Sequence, residues 1–333
     1  MIPPASVSRI AILGSGAWGT ALALVAADAG HDVLMWAREE LVVREINEHH
    51  TNPYLANVVL PERVTATTSM EECAGCPLIV IAIPTQYIRP TLRQNIDILN
   101  GAILVDVSKG VEQGTHLRVS EILDDLGAEP SAYVVLSGPS HAEEVGRRIP
   151  TTVVAASRST DAADLVQDIF NTDVFRVYTS GDVVGVEICG AMKNVIAIAA
   201  GMVDGLGMGD NTKAALITRG LAEIARFGCA MGAEKSTFYG LAGLGDLVVT
   251  CDSKHSRNRF VGEQLGRGRT LEEVLGNMSA VAEGVPTTRA IMEIATERSI
   301  ELPITEKVHQ IMFDGLDPRT ALNELMTRPV RCE

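Results

Sequence analysis

The 333-residue sequence predicts an α/β fold, in which an N-terminal domain with a doubly wound parallel sheet is followed by an all-helical C-terminal domain. In the first half, apolar runs of strand length alternate with helical segments, as in chains that form open parallel sheets. Several runs are continuous rather than alternating, which is typical of parallel strands buried on both faces. In the second half Ala, Gly, Leu and Met recur at helical spacing, and no segment carries a clear strand signal.

Eight segments of the first half have the composition and length of strands. Helical segments lie between them, for example at Ile88–Asn95, His116–Leu126 and Asp161–Phe170. The predicted strands are Arg9–Leu13, His31–Trp36, Val64–Ala66, Leu78–Ile83, Ala102–Val107, Tyr133–Leu136, Thr152–Ala155 and Val174–Tyr178.

The change in composition near Gly181 predicts two domains, residues 1–181 and residues 182–333. No linker rich in Pro, Gly or Ser separates them, so we expect the domains to pack tightly with a binding pocket between them. Helices of the second domain are predicted at Val186–Met202, Lys213–Met231, Thr270–Leu275 and Thr287–Arg298.

A glycine-rich turn joins the first predicted strand to the next helical segment. Residues 14–19 read Gly-Ser-Gly-Ala-Trp-Gly, which is the G-x-G-x-x-G spacing in its strand–turn–helix context. Gly14 permits the tight turn, Gly16 lets the backbone approach a pyrophosphate, and Gly19 lets the helix pack closely on the strand. The helix N-terminus adds N–H groups and partial positive charge. The turn therefore predicts a Rossmann-like dinucleotide-binding domain.

The uncharged run Ile10–Ala27 also has features of a secretory signal or a membrane span. Three glycines interrupt this run, and a second strand follows at the distance that a βαβ unit requires, so we expect neither. With the unpatterned cysteines, this indicates a soluble, cytoplasmic protein. The net charge of −14 and pI near 5.0 argue against a nucleic-acid-binding surface. Cys73 and Cys76 form one C-x-x-C without a second pair, so we predict no metal site.

The end of the second predicted strand governs the choice of cofactor. NAD-binding domains carry an acidic residue about 20 residues after the glycines, but Arg38 occupies this region. A guanidinium pairs well with a 2′-phosphate, which favours NADP(H), or use of both NADP(H) and NAD(H). Glu39 and Glu40 follow and weaken this preference, although acids also suit the first turn of a helix.

Polar and basic residues follow the carboxyl ends of the later strands, where open parallel sheets bind ligands. Lys109 follows the fifth predicted strand, and Gly138 and Ser140 follow the sixth. Together they have the character of an anion-binding cleft. Position alone equally allows Lys109 to be a solvated loop lysine.

Lys193 lies in an apolar helical segment of the second half. Its neighbours three and four residues away are Cys189, Gly190, Ile196 and Ala197, so its stripe is small and apolar. Desolvation lowers the pKa of a lysine and can make it a general acid–base. The alternative is a lysine that extends its ammonium to solvent at a domain interface.

A polar, glycine-rich stretch at residues 243–259 interrupts the helical pattern. Arg257, with Ser256 and Asn258, has the groups to bind a phosphate through a bidentate charged bond and hydrogen bonds. Asp246 has the group to bind a hydroxyl or to orient the lysine. A solvated loop with helix caps explains the same residues.

Eight motifs occur together in one order. They are Gly14-Ser-Gly-Ala-Trp-Gly-Thr, Ser108-Lys-Gly, Ser137-Gly-Pro-Ser, Lys193-Asn, Gly205-Leu-Gly, Ile217-Thr-Arg-Gly-Leu, Gly243-Leu-Gly-Asp and Ser256-Arg-Asn. With this order and spacing the chain resembles the bacterial NAD(P)-dependent glycerol-3-phosphate dehydrogenases. The resemblance implies a homodimer that interconverts sn-glycerol 3-phosphate and dihydroxyacetone phosphate and supplies the former to phospholipid synthesis.

The resemblance also implies the roles of the site residues. Lys193 would accept the proton in alcohol oxidation and donate it in ketone reduction, with Lys109 and Asp246 as further catalytic residues. Tyr54 would lie near the adenosine. Together with the glycine fingerprint, the resemblance assigns cofactor binding to Gly14, Ser15, Gly16, Trp18, Gly19, Arg38, Lys109, Ala142, Arg257, Val281 and Glu283. It assigns substrate binding to Lys109, Gly138, Ser140, Lys193, Asp246, Ser256, Arg257 and Asn258.

Two other classes of protein share part of this pattern. β-Hydroxyacid dehydrogenases and ketopantoate reductases also combine a Rossmann domain, a helical domain and a lysine, but their substrates carry a carboxylate. A non-catalytic NADP(H)-binding sensor would keep the fingerprint and would not need Lys193, Asp246 and Arg257 together.

Overall fold

The structure, a computed structural model, describes residues 7–278 and 281–329. The chain forms two units. The first contains the residues up to Lys109 together with Leu117–Glu187, and the second contains Gly110–His116 and the residues from Ile188 onward. The domain boundary that we place after residue 181 from the sequence stays a prediction.

The first unit contains one eight-stranded sheet, and each predicted strand is present. The strands are β1 Arg9–Leu13, β2 Asp32–Trp36, β3 Val64–Thr67, β4 Leu78–Ile81, β5 Ile103–Asp106, β6 Ala132–Ser137, β7 Thr151–Ala156 and β8 Phe175–Ser180. Their order across the sheet is β3-β2-β1-β4-β5-β6-β7-β8. The chain progresses outward in both directions from β1, which pairs in parallel with β2 and with β4. Sheets of this kind bind ligands in the crevice beyond the carboxyl ends of their strands, at the point where the strand order reverses.

Six helices of the first unit cover the sheet. They are α1 Ala17–Asp28, α2 Glu40–His49, α3 Thr85–Leu92, α4 Val119–Asp125, α5 Ala142–Val145 and α6 Thr160–Phe170. Side chains of β1 alternate between two buried clusters: Ile10 and Ile12 belong to one, and Ala11 and Leu13 to the other. Both faces of the strand are therefore buried, which explains why its sequence is a continuous apolar run.

One junction departs from the predicted parallel arrangement. Strand β7 runs antiparallel to β6, with Val135 opposite Ala156, whereas β7 and β8 are parallel to each other. A parallel connection needs a crossover of a dozen or more residues, usually with a helix that runs back along the sheet. The segment between β6 and β7 contains only the four-residue α5, which packs against α1. Strand β7 therefore begins at the edge of the sheet where β6 ends, and it runs in the opposite direction.

The described residues from 188 to 278 and from 281 to 329 contain no strand, as the sequence predicts. The helices are α7 Val183–Gly205, α8 Asp210–Ala230, α9 Asp246–Asp252, α10 Arg257–Gly266, α11 Leu271–Gly276, α12 Gly284–Glu297, α13 Pro303–Phe313 and α14 Pro318–Met326. By length and composition, α7 is the one helix of the described residues that could cross a membrane, but 94% of its apolar window is buried, as in the core helix of a globular protein.

Helices α7 and α10 cross with their backbones in contact. A Cβ at Gly262 would lie 1.8 Å from the carbonyl oxygen of Ile198, and one at Gly201 would lie 1.9 Å from that of Arg259. No residue with a side chain fits these positions, because real Cβ atoms do not approach backbone atoms so closely. The glycines therefore set the distance between the two helices and bring Asn194, in the middle of α7, to Asn258 near the start of α10.

Candidate active site

The glycine-rich turn has the geometry that its spacing predicts. Gly14 has a φ of +120°, and a Cβ there would lie 2.5 Å from the carbonyl oxygen of Ala82. A Cβ at Gly19 would lie 2.2 Å from the carbonyl oxygen of Gly14, so α1 packs directly on the turn. At Gly16 a Cβ would meet no described atom within 4 Å. The turn is therefore crowded where the protein packs and open where a pyrophosphate would approach.

Asn52 braces this turn. Its Nδ2 donates to the carbonyl oxygen of Ser15 at 2.9 Å and to Thr20 Oγ1 at 2.7 Å. Thr20 Oγ1 donates in turn to the carbonyl oxygen of Gly16 at 2.9 Å. No side chain caps the N-terminus of α1, so its first N–H groups have neither a capping side chain nor an intrahelical acceptor. The turn and helix thus form a braced, electropositive cradle.

Arg38, Glu39 and Tyr54 lie together beyond the end of β2. Tyr54 Oη donates to Glu39 Oε1 at 2.8 Å, and this hydrogen bond raises the pKa of Tyr54. An Arg38 guanidinium nitrogen lies 3.6 Å from the same carboxylate oxygen, and the Arg38 side chain is 83% exposed. Glu39 is thus already bonded within the protein, whereas most of the Arg38 side chain is accessible.

Lys109 lies beside the turn that follows β6. Its Nζ donates to the carbonyl oxygen of Gly138 at 3.3 Å, and Ser140 Oγ donates to the same oxygen at 2.9 Å. Gly138 has a φ of +148°, and a Cβ there would lie 2.9 Å from Val153 Cα. Ala142 is buried at the start of the short helix α5. The structure therefore brings together Lys109, Gly138 and Ser140, which the sequence places after β5 and β6.

In the second unit, Lys193 and Asp246 form a buried ion pair. Lys193 Nζ donates to Asp246 Oδ1 at 2.6 Å and to Thr250 Oγ1 at 2.7 Å, and the two charged side chains are 7% and 1% exposed. Thr250 Oγ1 donates to the carbonyl oxygen of Asp246 at 2.6 Å. Two acceptors therefore fix the position of the lysine nitrogen.

A π-helical turn, Leu241–Gly245, leads into α9 and positions Asp246 at its first residue. Gly245 N–H donates to the carbonyl oxygen of Gly240, five residues earlier. A Cβ at Gly243 would lie 2.2 Å from the carbonyl oxygen of Phe238. Single π-helical turns of this kind are frequent at functional sites. The Gly-Leu-Gly-Asp motif is thus a backbone device that brings a carboxylate to Lys193.

Two asparagines join α7, α10 and the start of α12. Asn258 Nδ2 donates to Asn194 Oδ1 at 2.9 Å, and Asn258 Oδ1 accepts from the N–H of Gly284 at 2.9 Å. Ser256 caps α10 by accepting from the N–H of Arg259. Arg257, between Ser256 and Asn258, is exposed at the first residue of α10.

Models of one protein family match most of the chain. Residues 9–163 match the model of the NAD-dependent glycerol-3-phosphate dehydrogenase N-terminus, and residues 182–323 match that of the C-terminus. The chain belongs to this family.

Similarity to individual glycerol-3-phosphate dehydrogenases extends over nearly the whole chain. A glycerol-3-phosphate dehydrogenase [NAD(P)+] from Bacillus licheniformis is 53% identical over 97% of this chain and 95% of its own length. The corresponding protein from Bacillus subtilis is 51% identical over the same shares of the two chains. The crystal structure of the dehydrogenase from Coxiella burnetii superposes with a TM-score of 0.92 at 37% identity, covering 96% of this chain and 99% of its own.

In this glycerol-3-phosphate dehydrogenase family member, three polar residues that bond to predicted site residues have no role predicted from the sequence: Thr250, Asn194 and Asn52. Thr250 follows Asp246 by four residues on one helix, so its hydroxyl faces the same way, and that spacing was a usable signal. Asn194 follows Lys193 directly but bonds to a different helix. Asn52 lies far from the glycine turn along the chain, and its bonds to that turn required the fold.

The remaining predicted residues have defined places in the family fold. Trp18 lies in the first turn of α1, half-buried. Glu283 precedes α12 and is half-buried, and Val281 is 37% exposed. Residues 7–278 and 281–329 contain no group of three or more side chains that could hold a metal ion.

Cys73, Cys76, Cys229 and Cys251 are free thiols, and Cys332 lies outside the described residues. Burial raises the pKa of Cys73 to about 12, so its thiol is unreactive at neutral pH.

Proposed function

We propose that this protein interconverts sn-glycerol 3-phosphate and dihydroxyacetone phosphate with NAD(P)(H), using Lys193 as the proton donor and acceptor. The observation that supports this role best is the buried Lys193, whose nitrogen is held by Asp246 and Thr250 in a chain of the glycerol-3-phosphate dehydrogenase family. The chain is therefore an NAD(P)-dependent oxidoreductase. A carboxylate-specific relative or a non-catalytic sensor is disfavoured by this family membership.

The first unit has the groups to hold the cofactor. The open space at Gly16 and the uncapped N-terminus of α1 fit a pyrophosphate. We assign contacts with the rest of the dinucleotide to Ser15, Trp18 and Ala142. When bound, the reduced nicotinamide supplies the hydride that reduces the ketone.

In the reductive direction, negative charge develops on the ketone oxygen, and Lys193 donates a proton to that oxygen. Asp246 and Thr250 keep the ammonium in one position, so little reorganisation is needed as the proton moves. Lys109 adds electrostatic stabilisation. In alcohol oxidation the Lys193 amine accepts the hydroxyl proton.

Arg257 supplies the phosphate contact in this proposal. Its exposed guanidinium lies at the first turn of α10, where the helix N-terminus adds partial positive charge. Ser256 and Asn258 flank it with a hydroxyl and an amide, while Gly138 and Ser140 complete the substrate contacts. Binding energy from the phosphate then positions the reacting carbon.

The residues beyond the end of β2 favour NADP(H) without excluding NAD(H). Arg38 is available for a 2′-phosphate, and Tyr54 already occupies the Glu39 carboxylate, which would otherwise accept a ribose hydroxyl. We assign further cofactor contacts to Arg257, Val281 and Glu283 on the family resemblance. The same resemblance supports a cytoplasmic homodimer that supplies glycerol 3-phosphate for phospholipid synthesis.

The test is an absorbance assay of NADPH and NADH oxidation with dihydroxyacetone phosphate. Dihydroxyacetone, which lacks the phosphate, and ketopantoate, which carries a carboxylate, serve as comparison substrates. We expect turnover of dihydroxyacetone phosphate at a kcat/KM far above that of either comparison substrate. Preferential turnover of ketopantoate would overturn the proposal.

A further inference from the structure

A second buried polar network lies beneath Lys109, at the carboxyl end of β5. Tyr133 Oη lies 3.0 Å from Asp106 Oδ2 and 3.0 Å from Glu187 Oε1. Asp106 is 0% exposed and Glu187 is 6% exposed. None of these three residues belongs to the catalytic machinery described above, yet two carboxyl groups share one phenol in the interior of the first unit.

A count of hydrogens shows that this network holds an additional proton. The phenol has a single hydrogen, so it can donate to only one of the two carboxyl groups. If both carboxyl groups were ionised, no hydrogen would lie between the oxygens of one of the two 3.0 Å contacts, and their lone pairs would repel each other. A proton on one carboxyl group removes this repulsion, because that group then donates to Tyr133 Oη while Tyr133 donates to the other.

The partners of the two carboxyl groups show which one carries the proton. Glu187 pairs with Arg118 and accepts from the N–H and the hydroxyl of Ser120, each at 2.9 Å, so its negative charge is well compensated. Asp106 accepts from the backbone N–H of Ser108 at 2.9 Å, and no cation of residues 7–278 and 281–329 pairs with it. The proton therefore resides on Asp106.

The charged and titratable groups that face Asp106 agree with this assignment. They are Tyr133 on β6 and Glu187 on α7, with Arg118 and Glu121 of the α4 N-terminus behind Glu187. Burial, with a smaller contribution from the Glu187 charge, raises the pKa of Asp106 to about 7. Glu187 is also raised in pKa by burial, but Arg118 opposes this shift.

Asp106 is connected directly to the turn that carries Lys109. Asp106 Oδ1 accepts from the N–H of Ser108, and Ser108 Oγ donates to the carbonyl oxygen of Ile83 at 2.8 Å. Lys109 is the next residue, and its Nζ bonds to Gly138. A change at Asp106 is thus transmitted through one hydrogen bond to the backbone of this turn.

We propose that Asp106 is a positioning residue that acts in its protonated form, joined through Tyr133 to Glu187, and that it holds the Ser108–Lys109 turn in its binding-competent arrangement. Loss of the proton places two negative carboxylates around one phenol and loosens this turn. The consequence for substrate binding rests on the proposed function, whereas the presence of the proton does not.

The experiment compares the wild-type chain with Asp106→Asn and Tyr133→Phe. An asparagine keeps the arrangement at every pH, because its amide donates to Tyr133 while its oxygen accepts from Ser108. Asp173→Asn and Tyr178→Phe, at exposed positions, are the matched controls. Infrared difference spectra report the carbonyl stretch of a protonated carboxyl group, and KM for dihydroxyacetone phosphate is measured across the same pH range.

We expect a protonated-carboxyl band in the wild type that disappears as pH rises through about 7 and is missing in Asp106→Asn. One pH unit above the pKa only about a tenth of the molecules keep the proton, so the ratio of wild-type KM to Asp106→Asn KM should rise about tenfold there. Tyr133→Phe should raise KM even below pH 7, because the bridge is lost. The controls should match the wild type.

A band that persists in Asp106→Asn, or a KM ratio that stays constant with pH, would overturn the proposal. If the wild type showed the titrating band but no turnover of dihydroxyacetone phosphate, the proposed function would fail while the protonation of Asp106 would be supported. The spectroscopic and kinetic measurements therefore separate the two hypotheses.

Discussion

Replacement of Lys193 by methionine separates the proposed catalytic role of this lysine from its contribution to stability. The methionine keeps the length of the side chain and removes the charge, so Asp246 remains as a carboxylate that is 1% exposed and has lost its cation. Removal of one partner from a buried ion pair costs about 3–5 kcal/mol of unfolding free energy. Loss of a general acid–base costs about 100- to 10,000-fold in kcat.

A second substitution tests the origin of the stability loss. Asp246→Asn in the Lys193→Met background removes the buried charge that has lost Lys193, with little change in shape, so most of the lost stability should return. Turnover should not return, because no group is left to donate the proton. Urea midpoints followed by circular dichroism measure stability, NADPH oxidation measures turnover, and NADPH fluorescence checks that the cofactor still binds.

Lys213→Met is the matched control. Lys213 Nζ also lies 2.6 Å from an aspartate, Asp204, but Asp204 keeps a second cation in Arg259, at 2.6 Å. The side chains of Lys213 and Asp204 are also more exposed, at 18% and 16%, so the loss should be about 1 kcal/mol. Equal losses in the two lysine variants would contradict the argument from burial, and normal turnover in Lys193→Met would remove Lys193 from the mechanism.

Four further predictions follow from the site and the fold. Arg257→Ala should raise KM for dihydroxyacetone phosphate about tenfold or more, since a charged hydrogen bond contributes about 1.5–3 kcal/mol; an unchanged KM would place the phosphate elsewhere. Arg38→Asp should shift the kcat/KM preference from NADPH toward NADH, and a constant ratio would exclude Arg38 from the ribose site. Gly262→Ala should lower the unfolding free energy by about 3 kcal/mol through overpacking against α7, measured as a lower urea midpoint. The raised pKa of Asp106, about 7 against 3.8, means that the folded state binds the extra proton between these pH values. Stability should therefore fall by about 4 kcal/mol as pH rises through that range, and a urea midpoint that changes equally in Asp106→Asn would contradict this.

The sequence predicts best the features that depend on neighbours along the chain. The glycine turn after β1 was predictable because its three glycines each satisfy a local steric requirement. Strands such as β1 and β4 were predictable because buried parallel strands are continuous apolar runs. The antiparallel direction of β7 was not predictable from the sequence, since it depends on how α5 packs against α1, which is distant along the chain. A period of two or 3.6 residues carries no information about that packing.

The site residues divide in the same way. The apolar stripe around Lys193 left both burial and a solvent-reaching lysine open, and the structure buries the side chain with a carboxylate and a hydroxyl as partners. The bridge from Asp106 through Tyr133 to Glu187 joins three separate elements, and no local pattern marks any of its members. Such networks become visible only when the fold shows which polar groups share a buried space.

The position of α7 connects the packing of the helical unit to its chemistry. Consecutive residues on a helix point about 100° apart, so Lys193 reaches α9 while Asn194 reaches α10. Both contacts form only when α7 has one particular orientation about its own axis. The backbone contacts of Gly201 and Gly262 fix that orientation, because turning α7 would replace a glycine at the crossing by a residue with a Cβ. The glycines therefore support the proposed site through geometry: they hold α7 where Lys193, the proposed proton donor, meets Asp246 and where Asn194 meets Asn258.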